Sequence, residues 1–109
     1  MNTYEINVQE PYFTFIKEGR KTVEGRLNKG KFLEIKVGDE ILLNNELKLK
    51  VTDKKIYSSF KSMIETEGAE KVIPNAQNID EAEAVYYKFY TKEDERTFGV
   101  AAIHIEVIS

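Results

Sequence analysis

The sequence contains no cysteine, which excludes disulfide bonds and thiolate metal sites. That absence fits a reducing cytoplasm, where we expect this protein to reside. The sequence also has no N-terminal pattern of basic residues followed by apolar ones, and no apolar run approaches the ~20 residues needed to span a bilayer. We therefore expect a soluble protein without a secretion signal or a membrane partner.

Histidine is nearly absent, because His104 is the only one. A serine–histidine–aspartate catalytic set would have to use it, but the sequence has no nucleophile-elbow motif. The alternation of the last strand also places His104 on the predicted outward side. A metal site would depend on carboxylates and this one histidine, and no ligand spacing supports it. The sequence therefore predicts neither a metal nor a cofactor.

Positive charge is not in excess, since the net charge is −3. This argues against a protein that coats DNA by phosphate neutralisation, although DNA stays possible as a partner. The distribution is uneven: residues 17–61 hold twelve Lys and Arg against seven Asp and Glu, whereas residues 62–109 hold four against ten. Such asymmetry permits a basic, nucleic-acid-binding face, but the lysines could equally serve only to keep exposed strands soluble.

The length of 109 residues predicts one domain, residues 1–109, with a single core. Short β-rich segments separated by about three short helices predict the α+β class and a small, mainly β barrel. Asn44 and Asn45 predict a tight hairpin turn. We expect residues 32–37 to be extended and residues 91–97 to form a charged loop. The predicted strands are residues 4–8, 22–27, 40–43, 47–57 and 98–108, and the main helices are residues 11–18, 59–67 and 80–90.

The stretch at residues 10–27, EPYFTFIKEGRKTVEGRL, predicts a short helix, a glycine stop and a charged strand. Alternate residues of a strand share a face, so Glu24 and Arg26 should point the same way. Lys21 lies in the turn and could swing to either side. Gly25 could mark a bulge, a place where another group approaches closely, or a loop edge of no consequence. A cation, a carboxylate and a guanidinium would then converge in one candidate site.

The same residues carry a family resemblance. Gly19, Lys21, Glu24 and Arg26 fit the G-x-K-x-x-E-x-R signature of the ASCH domain, a PUA-like β-barrel module. The apolar helix before the motif, the VGDEILLNN segment after it and the closing strand introduced by FGV extend the resemblance over nearly the whole chain. The chain resembles a small stand-alone bacterial or archaeal ASCH protein. This resemblance implies a nucleic-acid-associated fold whose motif lines a cleft for RNA or a modified nucleoside.

In such a cleft, Arg26 could hold a phosphate or a base edge with two parallel hydrogen bonds. Lys21 would supply a mobile cation, and Glu24 would accept from an amino group or a ribose hydroxyl. Family-like position and strand ends add three weaker candidates for the rim: Asn44, Tyr57 and Ser59. Three tyrosines fall off the predicted core stripes and are candidate stacking surfaces for bases: Tyr57, Tyr87 and Tyr90.

Catalysis is the alternative that the motif leaves open. Some ASCH relatives are amidohydrolases of N4-acetylcytidine that use a lysine and a threonine three residues later, whereas here Glu24 follows Lys21 at that spacing. Other relatives have been linked to ribonuclease action. Lys21 and Glu24 could act as general acid and base if burial moved their pKa values toward neutrality.

The sequence predicts an RNA- or nucleotide-binding module. Its alternatives are a hydrolase of a modified nucleoside or of RNA, and a protein-interaction domain that uses the acidic residues 78–96.

Overall fold

The computed structural model describes residues 1–108 and contains five strands and six helical segments. The predicted α+β class is confirmed, but the helical segments outnumber the three expected. The strands are β1 (Thr3–Ile6), β2 (Val23–Leu27), β3 (Glu40–Leu43), β4 (Leu47–Tyr57) and β5 (Val100–Val107). The helices are α1 (Tyr12–Lys17), α2 (Lys31–Glu34), α3 (Phe60–Glu67), α4 (Ala69–Val72), α5 (Ile79–Tyr86) and α6 (Lys92–Phe98).

All five strands form one curled sheet in the order β1-β3-β4-β5-β2. The β1–β3 pair is parallel and the other pairs are antiparallel. Strands β1 and β2 are the two edges, so the expected barrel takes the form of an open half-barrel. Its gap lies between two strands that are separated in the chain by α1 alone.

The core has two parts, one on each face of the sheet. Strand β5 contributes to both, with Ala101 and Ile103 in one cluster and Val100 and Ala102 in the other. The alternation that places His104 on the outward side also predicts an outward Ala102, which is wrong because α3 and α5 pack over the second face and bury Ala102 completely. A strand that is covered on both sides loses the alternation on which that prediction relied.

The hairpin between β3 and β4 follows the sequence prediction closely. Asn44 and Asn45 have φ angles of 53° and 55°, the left-handed conformation that a two-residue hairpin turn requires. On β4, buried leucines alternate with exposed Lys48 and Lys50. Lys50 is paired across the sheet with Glu40 and Glu106, so the charge of this lysine is balanced locally. This local balance favours solubility as its role.

The prediction that residues 32–37 are extended is wrong, because they contain α2. The Lys54 ammonium explains why this short helix forms. Its Nζ donates to the backbone carbonyls of Phe32, Leu33 and Ile35 at 2.6–3.0 Å, which supplies partners and positive charge at the helix end. Lys54 is therefore held within the fold and does not extend a basic face.

The prediction of a charged loop at residues 91–97 is also wrong, because these residues form α6. Thr91 caps the helix, its hydroxyl accepting from the Asp94 N–H at 3.0 Å. Three acidic residues occupy the first turn, where the helix dipole favours negative charge: Glu93, Asp94 and Glu95. The acidity of this region, which suggested a protein-interaction surface, thus has a role within the fold.

Helix α5 is shorter than predicted, since it ends at Tyr86 instead of residue 90. Its start agrees with the sequence, because the Asn78 side chain accepts from the Glu81 N–H at 2.8 Å. A helix that continued to residue 90 would place Phe89 on the buried stripe of α5, but the helix ends at Tyr86 and Phe89 is 53% exposed. No helix within residues 1–108 has the length and apolar character needed to cross a membrane.

Candidate ligand-binding site

A pocket of about 430 Å³ opens between the two edges of the half-barrel. Its walls come from residues 7–9 after β1, from β2 and the turn before it, and from the end of α5. One wall is charged and carries Lys21, Glu24 and Arg26. Another wall is aromatic and consists of Tyr12, Tyr86, Phe89 and Tyr90. The three charged residues that the motif predicted therefore do meet at one recess.

Lys21 is fixed in place, contrary to the expected mobile cation. Its side chain is 2% exposed, and its Nζ lies 3.1 Å from Glu24 Oε1. The same Nζ donates to the carbonyls of Val23 at 2.8 Å and Val72 at 2.6 Å. All three ammonium protons thus have acceptors within the protein. Lys21 orients Glu24 and joins α4 to β2, so its contribution to a ligand is indirect.

Arg26 bridges the two edges of the sheet. Its Nε donates to Glu24 Oε2 at 2.9 Å, and its Nη2 donates to the Asn7 carbonyl at 2.9 Å. The guanidinium carbon lies 4.7 Å from the centre of the Phe32 ring, a cation–π contact. The Tyr90 hydroxyl also interacts with the guanidinium, but no carboxylate or carbonyl binds Nη1 among residues 1–108. A rigidly held guanidinium with spare donors is the feature of the site best suited to bind an anion or a base edge.

The charges in the site hold one another in their ionised forms. Burial lowers the pKa of the Lys21 ammonium, an effect that the neighbouring Glu24 carboxylate partly opposes. Burial alone would raise the pKa of Glu24, but the positive charges of Lys21 and Arg26 outweigh it and hold that pKa below its usual value. The pKa of Glu24 therefore moves away from neutrality, which is the opposite of what a general acid at neutral pH requires.

The aromatic wall forms through the packing of α3 against the end of α5. Phe60 stacks against both Tyr86 and Tyr90, with ring centres 4.4 Å and 5.4 Å apart. Tyr90, a predicted stacking residue, lines the pocket. The other two predicted stacking residues do not, because the hydroxyls of Tyr57 and Tyr87 donate to Glu67 and Glu95.

Gly25 lies in the pocket wall, where Met63 and Tyr86 pack closely against it. The β2–β5 register is uninterrupted from Val23 to Leu27, so the predicted bulge is absent. A Cβ at Gly25 would lie 2.7 Å from Met63 Cε and 3.0 Å from Tyr86 Oη. The interpretation of close approach is confirmed, since no side chain larger than hydrogen fits without displacing a buried group.

The three predicted rim residues lie away from the pocket and have internal partners. Asn44 binds the backbone of Val8, accepting from its N–H at 2.8 Å and donating to its carbonyl at 2.9 Å. Tyr57 donates to Glu67 at 2.6 Å, and Ser59 caps α3 by accepting from the Ser62 N–H at 3.0 Å. The rim is formed instead by Asn7, Val8 and Gln9, which no motif pointed to. The only sequence feature that could have indicated these three residues is their position directly after the first predicted strand.

Asn44 therefore positions the rim from outside, which leads to a prediction about stability. Asn44→Gly keeps a residue that tolerates the left-handed turn but removes both hydrogen bonds to Val8. We expect a loss of about 1–2 kcal/mol in the free energy of unfolding, measured by urea denaturation. Asn45→Gly, at the adjacent left-handed position, is the matched control and should be nearly neutral. Equal stabilities of the two variants would contradict this role.

The histidine and the carboxylates do not form a second centre. His104 Nε2 lies 3.0 Å from Glu67 Oε1, outside the pocket. Within residues 1–108 no three metal-ligating side chains are grouped closely enough to hold an ion. The pocket is thus the one recess that gathers the motif residues.

Comparisons with known proteins agree with the fold and the motif. The ASCH domain family model matches residues 6–109. The crystal structure of hypothetical protein PH0355 is 46% identical over 97% of this chain and 99% of that one, with a TM-score of 0.94. The solution NMR structure of protein PF0455 from Pyrococcus furiosus is 40% identical over 98% of both chains, with a TM-score of 0.86. No curated protein sequence matches significantly. ASCH domains are generally thought to bind RNA. This chain belongs to the ASCH domain family.

Proposed function

We propose that this protein binds RNA by taking one unstacked nucleotide into the pocket between β1 and β2. The observation that carries the proposal is the state of Arg26. Glu24 and the Asn7 carbonyl fix its guanidinium, while no carboxylate or carbonyl binds Nη1 among the described residues. A preorganised guanidinium loses little conformational entropy when it binds a phosphate or a base edge.

The dimensions and lining of the pocket support a nucleotide as the occupant. Its volume of about 430 Å³ lies within the range of roughly 300–1,000 Å³ typical of small-molecule sites. Tyr12, Phe89 and Tyr90 offer ring faces, and Phe89 is 53% exposed. Proteins that read single-stranded RNA commonly stack unpaired bases on such rings. A pocket with both a charged wall and an aromatic wall matches the two halves of a nucleotide.

The remaining lysines suggest how the affinity should depend on salt. Lys54 is held by three carbonyls, Lys31 Nζ donates to the Glu5 carbonyl at 2.6 Å, and Lys50 lies between two glutamates. These three lysines of the predicted basic region are therefore less available to neutralise phosphates. We propose that binding depends on the pocket and has a shallow salt dependence, unlike that of a protein covering many phosphates.

Substitution of Arg26 tests this proposal. Arg26→Lys keeps the positive charge but removes the planar fork, so binding to a short single-stranded RNA should weaken about tenfold or more. Fluorescence anisotropy with labelled homopolymeric RNAs of each base provides the measurement. Arg20→Lys is the matched control, because Arg20 is exposed and lies over the Phe15 ring outside the pocket. Equal affinities of the two variants would rule out the pocket as the RNA site.

A hydrolase is the second candidate, and the burial of the Lys21–Glu24 pair within the pocket is the observation that favours it. In that case the lysine would have to lose a proton before it could act as a base or nucleophile, which its lowered pKa assists. The test is incubation of the protein with N4-acetylcytidine and with RNA, followed by chromatography. Turnover that Lys21→Met abolishes would favour the hydrolase, and an inert wild-type protein would remove it.

A further inference from the structure

Backbone N–H and C=O groups on the free edge of β2 point toward the pocket. Two bonds fix which residues point outward: the Ile105 N–H donates to the Thr22 carbonyl, and the Asn28 N–H donates to the Gly99 carbonyl. In an antiparallel pair, hydrogen-bonded and non-hydrogen-bonded positions alternate. Glu24 and Arg26 therefore bond inward to β5, whereas the N–H and C=O groups of Val23, Gly25 and Leu27 point away from it.

Two of the three outward carbonyls already have donors. The Val23 carbonyl accepts from Lys21 Nζ at 2.8 Å, and the Leu27 carbonyl accepts from the Lys29 N–H at 2.9 Å. Neither the N–H nor the C=O of Gly25 has a partner on this side among residues 1–108. Gly25 is buried and lines the pocket. A buried backbone donor and acceptor without partners are costly and need a ligand or water to bind them.

A third polar group beside Gly25 is also unpaired. The Tyr86 hydroxyl is buried, has no hydrogen-bond partner among the described residues, and lies 3.0 Å from the position that a Cβ would occupy at Gly25. The whole residue is 5% exposed and lines the same pocket. Burial, together with the negative charge of Glu24, raises the pKa of Tyr86 well above its usual value, so the hydroxyl remains a donor.

We propose that the Gly25 N–H and C=O and the Tyr86 hydroxyl together read the edge of a planar nitrogen heterocycle held in the pocket. An adjacent donor and acceptor from one backbone residue match the adjacent acceptor and donor on a nucleobase edge. The aromatic wall supplies contacts to the ring faces. This inference rests on the proposed function and identifies which atoms of the nucleotide enter the recess.

The neighbouring bonds exclude an added peptide strand as the occupant. Strand addition to an edge needs a continuous series of free backbone groups. Here Lys21 and Lys29 already occupy the outward carbonyls on both sides of Gly25, and the Thr22 N–H donates to the Lys71 carbonyl at 3.1 Å. Gly25 is the only outward residue of β2 with both its N–H and its C=O free among residues 1–108, so the ligand that pairs with it has the width of a single base.

The Gly25 amide provides a direct readout. We would label the glycines with ¹⁵N and titrate the intact protein with uridine monophosphate, adenosine monophosphate and ribose 5-phosphate. The Gly25 amide signal should shift with one or both nucleotides. A shift with uridine monophosphate alone would indicate a base edge that carries carbonyl groups, and a shift with adenosine monophosphate alone would indicate an edge with ring nitrogens. Ribose 5-phosphate, which lacks a base, should leave it unmoved. Gly30 and Gly38, with nothing close to their α-carbons, serve as internal controls.

Tyr86→Phe tests the hydroxyl while keeping the ring that stacks on Phe60. Affinity for the shifting nucleotide should fall about tenfold, as expected for one lost hydrogen bond in a buried site. Because the hydroxyl has no protein partner, the Tm of the free protein should stay the same or rise. A drop in Tm of more than about 4 °C would show an internal structural role and overturn the assignment.

The two proposals fail in different ways. If RNA binds and depends on Arg26 while the Gly25 signal never moves, the base-reading inference is overturned and the RNA function stands. If a mononucleotide shifts Gly25 but no RNA binds, the RNA function is overturned and the inference stands. If neither nucleotides nor RNA produce any change, both are overturned.

Discussion

Replacing Glu24 with alanine is expected to lower the free energy of unfolding by about 3–5 kcal/mol, the largest effect among the pocket residues. The reason is the ammonium that remains. The Lys21 side chain is 2% exposed, and Glu24 is the only carboxylate that contacts it among residues 1–108. Removing one partner of a buried ion pair leaves the other charge uncompensated in a medium that solvates it poorly. Urea denaturation monitored by circular dichroism measures the loss.

Two further variants identify the origin of that loss. Adding Lys21→Met to Glu24→Ala removes the stranded charge and should recover part of the stability. Glu46→Ala is the matched control, because Glu46 pairs with Lys17 at 3.8 Å on the surface, with both side chains about 60% exposed. That substitution should change stability by no more than about 0.5 kcal/mol. If Glu24→Ala proves as stable as Glu46→Ala, the buried pair does not stabilise the fold.

The dependence of the free energy of unfolding on pH, on the acid side, gives a second test of the role of Glu24. Its pKa in the folded protein is held below the usual 4.5 by Lys21 and Arg26. A carboxylate with a lowered pKa contributes stability that is present above the unfolded value and is lost as the pH falls through the folded one. The wild type should therefore lose stability below about pH 5, and Glu24→Ala should show a flatter curve there. Some slope should persist, because the pKa values of Asp39 and Glu67 are lowered too.

The charged wall of the pocket could be predicted because it depends on local geometry. Glu24 and Arg26 share a strand face, and strand parity alone places their side chains together. The position of Lys21 could not be predicted in the same way. Its ammonium is fixed by the Val72 carbonyl, which is 51 residues away in the chain. Long-range contacts of this kind convert a flexible turn residue into a buried one.

The aromatic wall could not be found from periodicity, because α5 ends earlier than its apolar pattern suggests. Phe89 continues that pattern past Tyr86, which predicts that it lies in the core. The helix ends at Tyr86 and the chain turns. Phe89 and Tyr90 therefore line the pocket together with the motif residues of β2. Propensity and periodicity do not determine where a short helix ends when tertiary packing decides it.

The location of the pocket follows from strand order, which no local pattern encodes. Strands β1 and β2 become the two edges only because β3, β4 and β5 assemble between them. Arg26 then reaches across the gap to the Asn7 carbonyl at 2.9 Å. The rim at residues 7–9 is thus brought to the motif by non-local pairing, whereas the predicted rim residue Asn44 supports it from behind through Val8.

Glu95→Ala is expected to destabilise the fold by about 2–4 kcal/mol, although the substitution lies in a segment predicted to be a charged loop. The Glu95 carboxylate is buried, and it accepts from the Phe60 N–H at 2.7 Å and from the Tyr87 hydroxyl at 2.7 Å. It therefore holds the start of α3 and the end of α5 against α6. Alanine would leave the Phe60 N–H buried without an acceptor and the Tyr87 hydroxyl with only a longer contact to Glu83 at 3.4 Å, at a cost typical of hydrogen bonds to charged groups.

The stability effect of Glu95 should extend to the pocket, because Phe60 is the ring on which Tyr86 and Tyr90 stack. Glu95→Gln keeps the shape but supplies one neutral acceptor oxygen for two donors, so it should lose less stability than alanine. Glu93→Ala, an exposed neighbour in the same helical turn, should be nearly neutral in thermal unfolding. If Glu95→Ala unfolds at the same temperature as Glu93→Ala, the carboxylate does not hold these helices together. The aromatic wall would then depend on ring packing alone.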